Sequence, residues 1–268
     1  MEFSLELGAI IVGIGLLAGF VAGFVGVGGG IVMVPILLEG FRRFGVPGGS
    51  IVQAAMGTSL AVGVFSVGSS IVRHAWHKRI QWRLVPALAP GSLAGGWLAA
   101  KLAVILPGQI LQLGLAALMA VAAARMVTQN EYAARPDAGF RWWQGLMVGL
   151  LVGLVAGMSG LAGGIVLVPA LALLLGVPTG WLAGTSSSVI IFSALAAALG
   201  YLTATPAEAL GPGFHGFVNL KVAGLLVIGA IPGAQFGAWT NRRVASQVFR
   251  RIFAVLMMLV VVRLVLSS

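Results

Sequence analysis

Cysteine is absent from the chain, and acidic residues are scarce. The 268 residues include no cysteine and only six aspartates and glutamates. The absence of cysteine excludes disulfides, thiolate metal ligands and thiol catalysis within this chain. The acidic residues all lie in loops, at segment ends or at the terminus: Glu2, Glu6, Glu39, Glu131, Asp137 and Glu208. Because a cation transporter or a carboxylate proton relay normally needs an acidic residue inside the membrane, this distribution argues against a cation substrate.

Long apolar runs make up most of the chain. Hydrophobic residues account for 59% of it, charged residues for 8%, and the mean hydropathy is +1.07. Since about 20 apolar residues cross the hydrocarbon core, these runs predict an all-α polytopic membrane protein without a separate soluble domain. The predicted uninterrupted spans lie near residues 52–72, 84–104, 109–127, 183–203, 219–239 and 247–266. Two further segments, 7–38 and 143–175, are too long for one span, and a glycine cluster interrupts each.

The charge of the chain is strongly positive. Sixteen lysines and arginines against six acidic residues give a formal net charge of +10. Most of the basic residues lie in short loops between apolar segments, where they orient a membrane protein. We therefore interpret the charge as a topology signal and expect no nucleic-acid partner.

A sequence repeat relates the two halves of the chain. Residues 21–38 and 155–172 are identical at 11 of 18 aligned positions, and Gly57-Thr58-Ser59 reappears as Gly184-Thr185-Ser186. The duplication predicts two repeats, each made of one broken, helix-loop-helix segment plus three transmembrane helices. The predicted organisation is repeat 1 at residues 1–128, a polar linker at 129–141 and repeat 2 at 142–268.

The basic residues indicate how the two repeats are oriented. If each interrupted segment enters the membrane and returns, each repeat crosses it an odd number of times and the repeats are inverted. Inverted repeats place 11 of the 16 basic residues on the cytoplasmic side, whereas parallel repeats place nine there. The positive-inside rule therefore favours inversion with both termini outside, although Arg42 and Arg43 then lie on the outer side.

The glycine clusters predict broken helices with an anion site between them. Small residues at every fourth position pack membrane helices, which is our interpretation of Gly15, Gly19 and Gly23 and of similar sets elsewhere. Consecutive glycines, as at 28–30 and 163–164, instead destabilise a helix without improving its packing. The helix that restarts after each cluster points unpaired amides and the positive end of its dipole into the break. Such a break suits an anion.

Hydroxyl and amide side chains supply further candidates. Two sets, Thr58-Ser59 and Thr185-Ser186-Ser187, directly follow a glycine near the start of a span, where their hydroxyls can donate to a substrate oxygen. Such residues also bond to helix backbone, and this alternative stays open. Ser159 and Gln235 are weaker candidates, because a polar side chain inside a span can simply tie helices together. The candidate substrate-binding residues are Gly28, Gly29, Gly30, Thr58, Ser59, Ser159, Gly163, Gly164, Thr185, Ser186, Ser187 and Gln235.

Two histidines lie one helical turn apart, at His74 and His77. That spacing suits a metal, but Arg73, Lys78 and Arg79 surround the pair, and no acidic or sulfur ligand is near. We interpret both histidines as part of a solvated basic loop at the membrane surface. We expect no metal site and no cofactor.

The paired glycine motifs resemble those of a known family. The pattern G-x-G-G-G-I-V-x-V-P-x-L at residues 26–37, its partner at 160–171, both G-T-S elements, and the basic loop with His74, Ile80 and Trp82 look like the TauE/SafE sulfite exporter family. The resemblance spans nearly the whole chain. It implies a multi-pass transporter in the bacterial inner membrane for small sulfur oxyanions or organosulfonates such as sulfite or sulfoacetate. One departure is Ala162, which replaces the glycine found at position 28 and predicts a stiffer second break.

The expected function is therefore secondary transport, as an exporter, of a small anion bound between two broken helices. A passive anion channel is the closer alternative, since a break in a helix alone does not separate a pore from a carrier. An intramembrane enzyme or a passive partner subunit is a weaker alternative, because the predicted span interiors hold no catalytic His, Cys, Asp or Glu. The expected partners are the anion and the lipid bilayer, and a homodimer is left open.

Overall fold

A computed structural model describes residues 5–104, residues 141–244 and a few single positions between 247 and 262. The described chain is helical apart from one two-stranded hairpin. The predicted span at 109–127, nearly all of the linker at 129–141 and most of the span at 247–266 lie outside the described residues. The spans predicted near 52–72, 84–104, 183–203 and 219–239 are confirmed as helices, each with slightly different ends.

The elements follow one another in this order: α1 (Leu5–Val25), α2 (Gly30–Arg43), a 3-10 turn (Gly48–Ser50), α3 (Ile51–Trp76), α4 (Val85–Ala103), α5 (Trp142–Ser159), α6 (Gly164–Leu173), α7 (Thr179–Thr203), β1 (Phe214–His215), β2 (Val218–Asn219) and α8 (Leu220–Asn241). The strands pair antiparallel, with Phe214 opposite Asn219 and His215 opposite Val218. In the described part of the chain, five helical segments are long and apolar enough to cross a membrane.

Large apolar side chains cover the outside of the helices. Leu17, Phe65, Ile228 and Phe236 are each more than half exposed. Exposed apolar surface of this extent is costly in water but matches hydrocarbon. The outward-facing side chains and the five long apolar helices make the protein a multi-pass membrane protein.

Helices α3 and α7, which cross at the centre, run in opposite directions. We call the end of the bundle that contains Trp76 and Asn241 face A, and the end that contains Ile51 and Leu220 face B. At face A, the Arg79 guanidinium donates to the carbonyl oxygen of Gly180, at the start of α7, over 3.3 Å. At face B, the Asn219 amide donates to Thr58 Oγ1, near the start of α3, over 3.0 Å.

Helices α1 and α2 form a pair that returns to face B. Helix α1 runs towards face A, because Asn241 Nδ2 at the end of α8 donates to the Phe24 carbonyl oxygen over 2.7 Å. The end of α2 lies at face B, where the rings of Phe41 and Phe214 are 5.3 Å apart between centroids. In the other half, α5 ends beside the last turn of α7, and α6 leads back to the start of α7.

Glycines bring two pairs of helices into close contact. A Cβ added at Gly15, Gly19 or Gly23 of α1 would overlap backbone carbonyl oxygens of α8, and one added at Gly229, Gly233 or Gly237 of α8 would overlap those of α1. In the same way, a Cβ added at Gly91 or Gly95 of α4 would overlap carbonyl oxygens of α5, and one added at Gly149 or Gly153 of α5 would overlap those of α4. The packing role predicted for these glycines is confirmed. Only a residue without a side chain permits this approach.

Substituting one glycine of α1 tests this contact. We expect Gly19→Ala to destabilise the protein by about 1–3 kcal/mol, because the new methyl group overlaps the Ala230 carbonyl group. The matched control is Gly13→Ala in the same helix, where nothing lies within 4 Å of the added Cβ. The control should be neutral or slightly stabilising, because alanine favours a helix. The measurement is thermal unfolding in detergent, and equal melting temperatures for the two variants would contradict the packing.

Candidate functional site

Two short loops separate the helices of each pair near the centre of the bundle. Loop 1, residues 26–29, joins α1 to α2, and loop 2, residues 160–163, joins α5 to α6. Each loop contains two or more residues with positive φ, which glycine adopts without strain. No side chain caps the start of α2 or of α6. The amides of Val32 and Val166 donate to the carbonyl oxygens of Gly29 and Gly163 over 3.1 Å. The first two amides of each helix face the loops without an intrahelical partner.

The two loops pack directly against each other. A Cβ added at Gly28 would lie 2.6 Å from the Cβ of Ala162, and one added at Gly164 would lie 2.6 Å from the Gly26 carbonyl oxygen. A Cβ added at Gly30 would overlap the carbonyl oxygen of Gly160. The loops thus run side by side in opposite directions, with Gly28 and Ala162 opposite each other. All residues of both loops are buried.

Two serines hold the loops from the opposite halves of the chain. Ser186 Oγ of α7 donates to the Gly26 carbonyl oxygen over 2.7 Å, and Ser59 Oγ of α3 donates to the Gly160 carbonyl oxygen over 3.1 Å. Both serine side chains are buried. Since Gly26 and Gly160 are equivalent in the repeated motif, the two hydrogen bonds are equivalent as well. In this conformation both hydroxyls bond to backbone.

Two threonines next to these serines accept hydrogen bonds from the segments that follow the two central helices. Thr58 Oγ1 accepts the Asn219 amide, and Thr185 Oγ1 accepts the Gln81 amide, each over 3.0 Å. Both acceptors are fully buried. The threonines therefore connect α3 to the start of α8, and α7 to the segment before α4.

The side chains of the remaining candidates form no hydrogen bond across the contact between the loops. Ser187 Oγ accepts from Ser70 Oγ over 3.2 Å, between α3 and α7. Ser159 Oγ donates to Val155 in its own helix and accepts the Leu161 amide. Gln235 Nε2 donates to the Ser69 carbonyl oxygen over 2.8 Å, which joins α8 to α3. The structure thus brings together the glycines of both loops with Ser59 and Ser186, and it places Ser159, Ser187 and Gln235 in other contacts.

Two residues at equivalent positions were missed as partners of the loop regions. His74 Nε2 lies 3.1 Å from the Gly23 carbonyl oxygen of α1, and Tyr201 Oη donates to the Gly157 carbonyl oxygen of α5 over 2.8 Å. The interpretation of His74 as a solvated loop residue is wrong, because His74 lies inside α3 and is only 2% exposed. A sequence signal exists, since His74 and Tyr201 each follow the threonine of a G-T-S element by 16 residues.

Basic side chains gather at face A around His77. Burial, together with the positive charges of Arg242, Arg73 and Arg79, lowers the pKa of His77, which favours its neutral form at neutral pH. Among the residues described, no carboxylate forms an ion pair with these arginines. At face B, by contrast, Glu39 pairs with Arg43 at 2.8 Å and with Arg42 at 3.4 Å. This pairing offsets part of the positive charge of the two arginines.

An apolar groove of about 120 Å³ lies between α1, α2 and α8. Its lining includes Leu7, Ile14, Met33, Phe44 and Leu226, and almost all of its surface is apolar. The groove is unsuited to an anion. The described residues also hold no group of three His, Cys, Asp or Glu side chains that could bind a metal ion.

The contact between Gly28 and Ala162 can be tested by exchanging the two residues. Gly28→Ala should destabilise the protein, because two methyl groups would occupy the same space and alanine at φ +76° is strained by about 1–2 kcal/mol. The double variant Gly28→Ala, Ala162→Gly should recover most of the lost stability, since it vacates that space and relieves Ala162 from its φ of +55°. The measurement is the melting temperature of both variants and of Ala162→Gly alone. Additive effects of the two substitutions would contradict the contact.

Comparison with known proteins identifies relatives over nearly the whole chain. A family model described as sulfite exporter TauE/SafE matches residues 11–264. A probable membrane transporter protein of Methanocaldococcus jannaschii is 27% identical over 93% of this chain and 91% of its own length. Proteins with the same description from Xylella fastidiosa and Bacillus subtilis are 26% and 27% identical, over 97% and 94% of this chain and 95% and 94% of their own lengths. No solved structure matches the chain.

Proposed function

Because the chain belongs to the TauE/SafE sulfite exporter family, a family of membrane transporters and not of enzymes, we propose that it carries a small anion across the membrane by alternating access. The proposed substrate class is a sulfur oxyanion or organosulfonate, such as sulfite or sulfoacetate. The proposed site is the contact between loops 1 and 2. For a bacterial member of this family, the location is the inner membrane.

The proposed architecture is a pair of inverted repeats, each with one broken helix. Two kinds of observation support it, the directions of the helices and the equivalence of their hydrogen bonds. Helices α3 and α7 carry the two G-T-S elements and run in opposite directions, α1 and α2 return to face B, and α5 and α6 return to face A. The hydrogen bonds made by Ser59, Thr58 and His74 have equivalents in those of Ser186, Thr185 and Tyr201. Inverted repeats with discontinuous helices are a recurrent transporter design. The division at residues 128 and 142 and a homodimer stay predictions.

The observation that carries the proposal is the meeting of two helix starts at the loops. The amides of α2 and α6 and the positive ends of their dipoles converge from opposite halves. Among the described helices, only α1 and α2 contain an acidic residue, Glu6 and Glu39, and each lies near one end of its helix. Donors without a compensating carboxylate favour an anion. The binding residues proposed here are those of the two loops with Ser59 and Ser186.

Transport requires that the loops separate. In the present conformation, Ser59 and Ser186 donate to carbonyl oxygens of the loops, and the packing of Gly28 against Ala162 closes the centre. Rocking of one repeat against the other would free both hydroxyls, which could then donate hydrogen bonds to an anion. A contact that must open supports a carrier over the alternative of a passive channel.

The test is flux in proteoliposomes that contain the purified protein. External labelled sulfoacetate should accumulate transiently when unlabelled sulfoacetate is present inside, because a carrier exchanges one anion for another. Flux should also saturate with concentration. A linear, unsaturated flux without counterflow would indicate the channel. The same counterflow with sulfite, sulfate, thiosulfate and acetate as competitors identifies the substrate class, and equal competition by acetate would contradict the sulfur assignment.

Serine variants test the site itself. Ser59→Ala and Ser186→Ala should each raise the apparent KM for sulfoacetate about tenfold, the effect of losing a charge-assisted hydrogen bond of roughly 1.5 kcal/mol. Ser188→Ala is the matched control, because Ser188 is equally buried but donates to Gly184 in its own helix. If Ser59→Ala and Ser186→Ala lower stability and leave KM unchanged, the hydroxyls serve the fold alone.

A further inference from the structure

We propose that His74 binds the proton that accompanies the anion, and thereby couples transport to the pH gradient. This inference rests on the proposed function of the two loops. Acidic residues are absent from the interior of α3, α7 and α8, so a proton carried by these helices needs another base. Among their described residues, His74 is the buried side chain with a basic nitrogen, whereas the equivalent residue, Tyr201, carries a hydroxyl group that donates to Gly157.

The hydrogen bond of His74 fixes which nitrogen is free to accept a proton. Nε2 lies 3.1 Å from the Gly23 carbonyl oxygen, and a carbonyl oxygen can only accept. Nε2 therefore carries a hydrogen, and in the neutral ring the lone pair is on Nδ1. A proton that arrives at Nδ1 makes an imidazolium without breaking the bond to Gly23, and the positive charge strengthens that bond.

The charges around His74 make its proton depend on a nearby anion. Arg73 lies on its own helix, and His77 and Arg79 follow in the loop. From α8, Arg242 acts on His77. Helix α1 contributes the Gly23 carbonyl group, and α7 approaches through the uncharged Gly184. In the described part of the chain, no carboxylate pairs with this group. A buried imidazolium beside several cations is costly unless an anion compensates it.

The proposed anion site is close enough to supply that compensation. Gly23 precedes Gly26 of loop 1 by three residues, which is less than one helical turn of about 5.4 Å. Ser186, which holds Gly26, also follows Gly184, whose added Cβ would lie 3.0 Å from the Cβ of His74. An anion at loop 1 and a proton on His74 therefore favour each other. The two would cross the membrane in the same direction, and the proton gradient would set the direction of net transport.

The first test is anion binding to the wild-type protein as a function of pH. Sulfoacetate does not change its ionisation between about pH 6 and pH 9, because its carboxyl group titrates near 4 and its sulfonate lower still. We expect its Kd to rise by up to tenfold per pH unit over the interval in which His74 is neutral in the free protein and protonated in the complex, since each bound anion then takes up one proton. A Kd that is constant across this range would overturn the proposal.

The second test uses proteoliposomes with the membrane potential clamped at zero. An inward proton gradient should drive wild-type protein to accumulate labelled sulfoacetate. His74→Gln retains an N–H donor for Gly23 but has no base equivalent to Nδ1, so it should keep counterflow at equal pH and lose accumulation driven by the gradient. His77→Gln, the matched control, should keep both.

The outcomes separate the two proposals. Absence of wild-type counterflow would reject the proposed transport of sulfoacetate. Wild-type counterflow without gradient-driven accumulation, or accumulation that persists in His74→Gln, would reject the role of His74 alone. Should His74→Gln fail to fold, the pH dependence of wild-type binding still decides the matter.

Discussion

The hydrogen bonds from Ser59 and Ser186 to the carbonyl oxygens of Gly160 and Gly26 are the interactions on which the centre of the protein depends. A helix interrupted inside the membrane leaves backbone groups without partners, and each such group costs several kcal/mol when it faces lipid. Here each half of the chain supplies the hydroxyl that the other half needs. The loops are therefore buried in protein, and each is held in part by the half of the chain that does not contain it.

The rest of the bundle keeps these reciprocal contacts in place. Glycines allow α1 to lie against α8 and α4 against α5, so that each pair joins helices of different halves. The two inner helices, α3 and α7, then bring serine, threonine, His74 and Tyr201 to the backbone of the outer pairs. Charge is confined to the ends, where Glu39 offsets the arginines of face B and face A stays strongly basic. The interior offers dipoles and hydroxyls in place of fixed charge.

Composition and apolar runs predicted the membrane spans, because a span needs only length and hydropathy. The glycine spacing likewise predicted helix packing, since the need for a small residue is local. The partners of Ser59 and Ser186 could not be predicted, because each is a backbone carbonyl group more than 100 residues away. The burial of His74 was missed for a different reason. Four basic or titratable neighbours in the sequence indicate a solvated loop, whereas the helix continues through Trp76 and turns the imidazole ring inward.

The contact between Gly28 and Ala162 limits how alike the two halves of the chain can be. Only one methyl group fits between the two halves at that point, and here the second half provides it. Two identical copies of the second half could not assemble around the same centre, since each would bring its own methyl group. A pair of identical halves would need glycine at this position, so the alanine of the second half requires the glycine of the first.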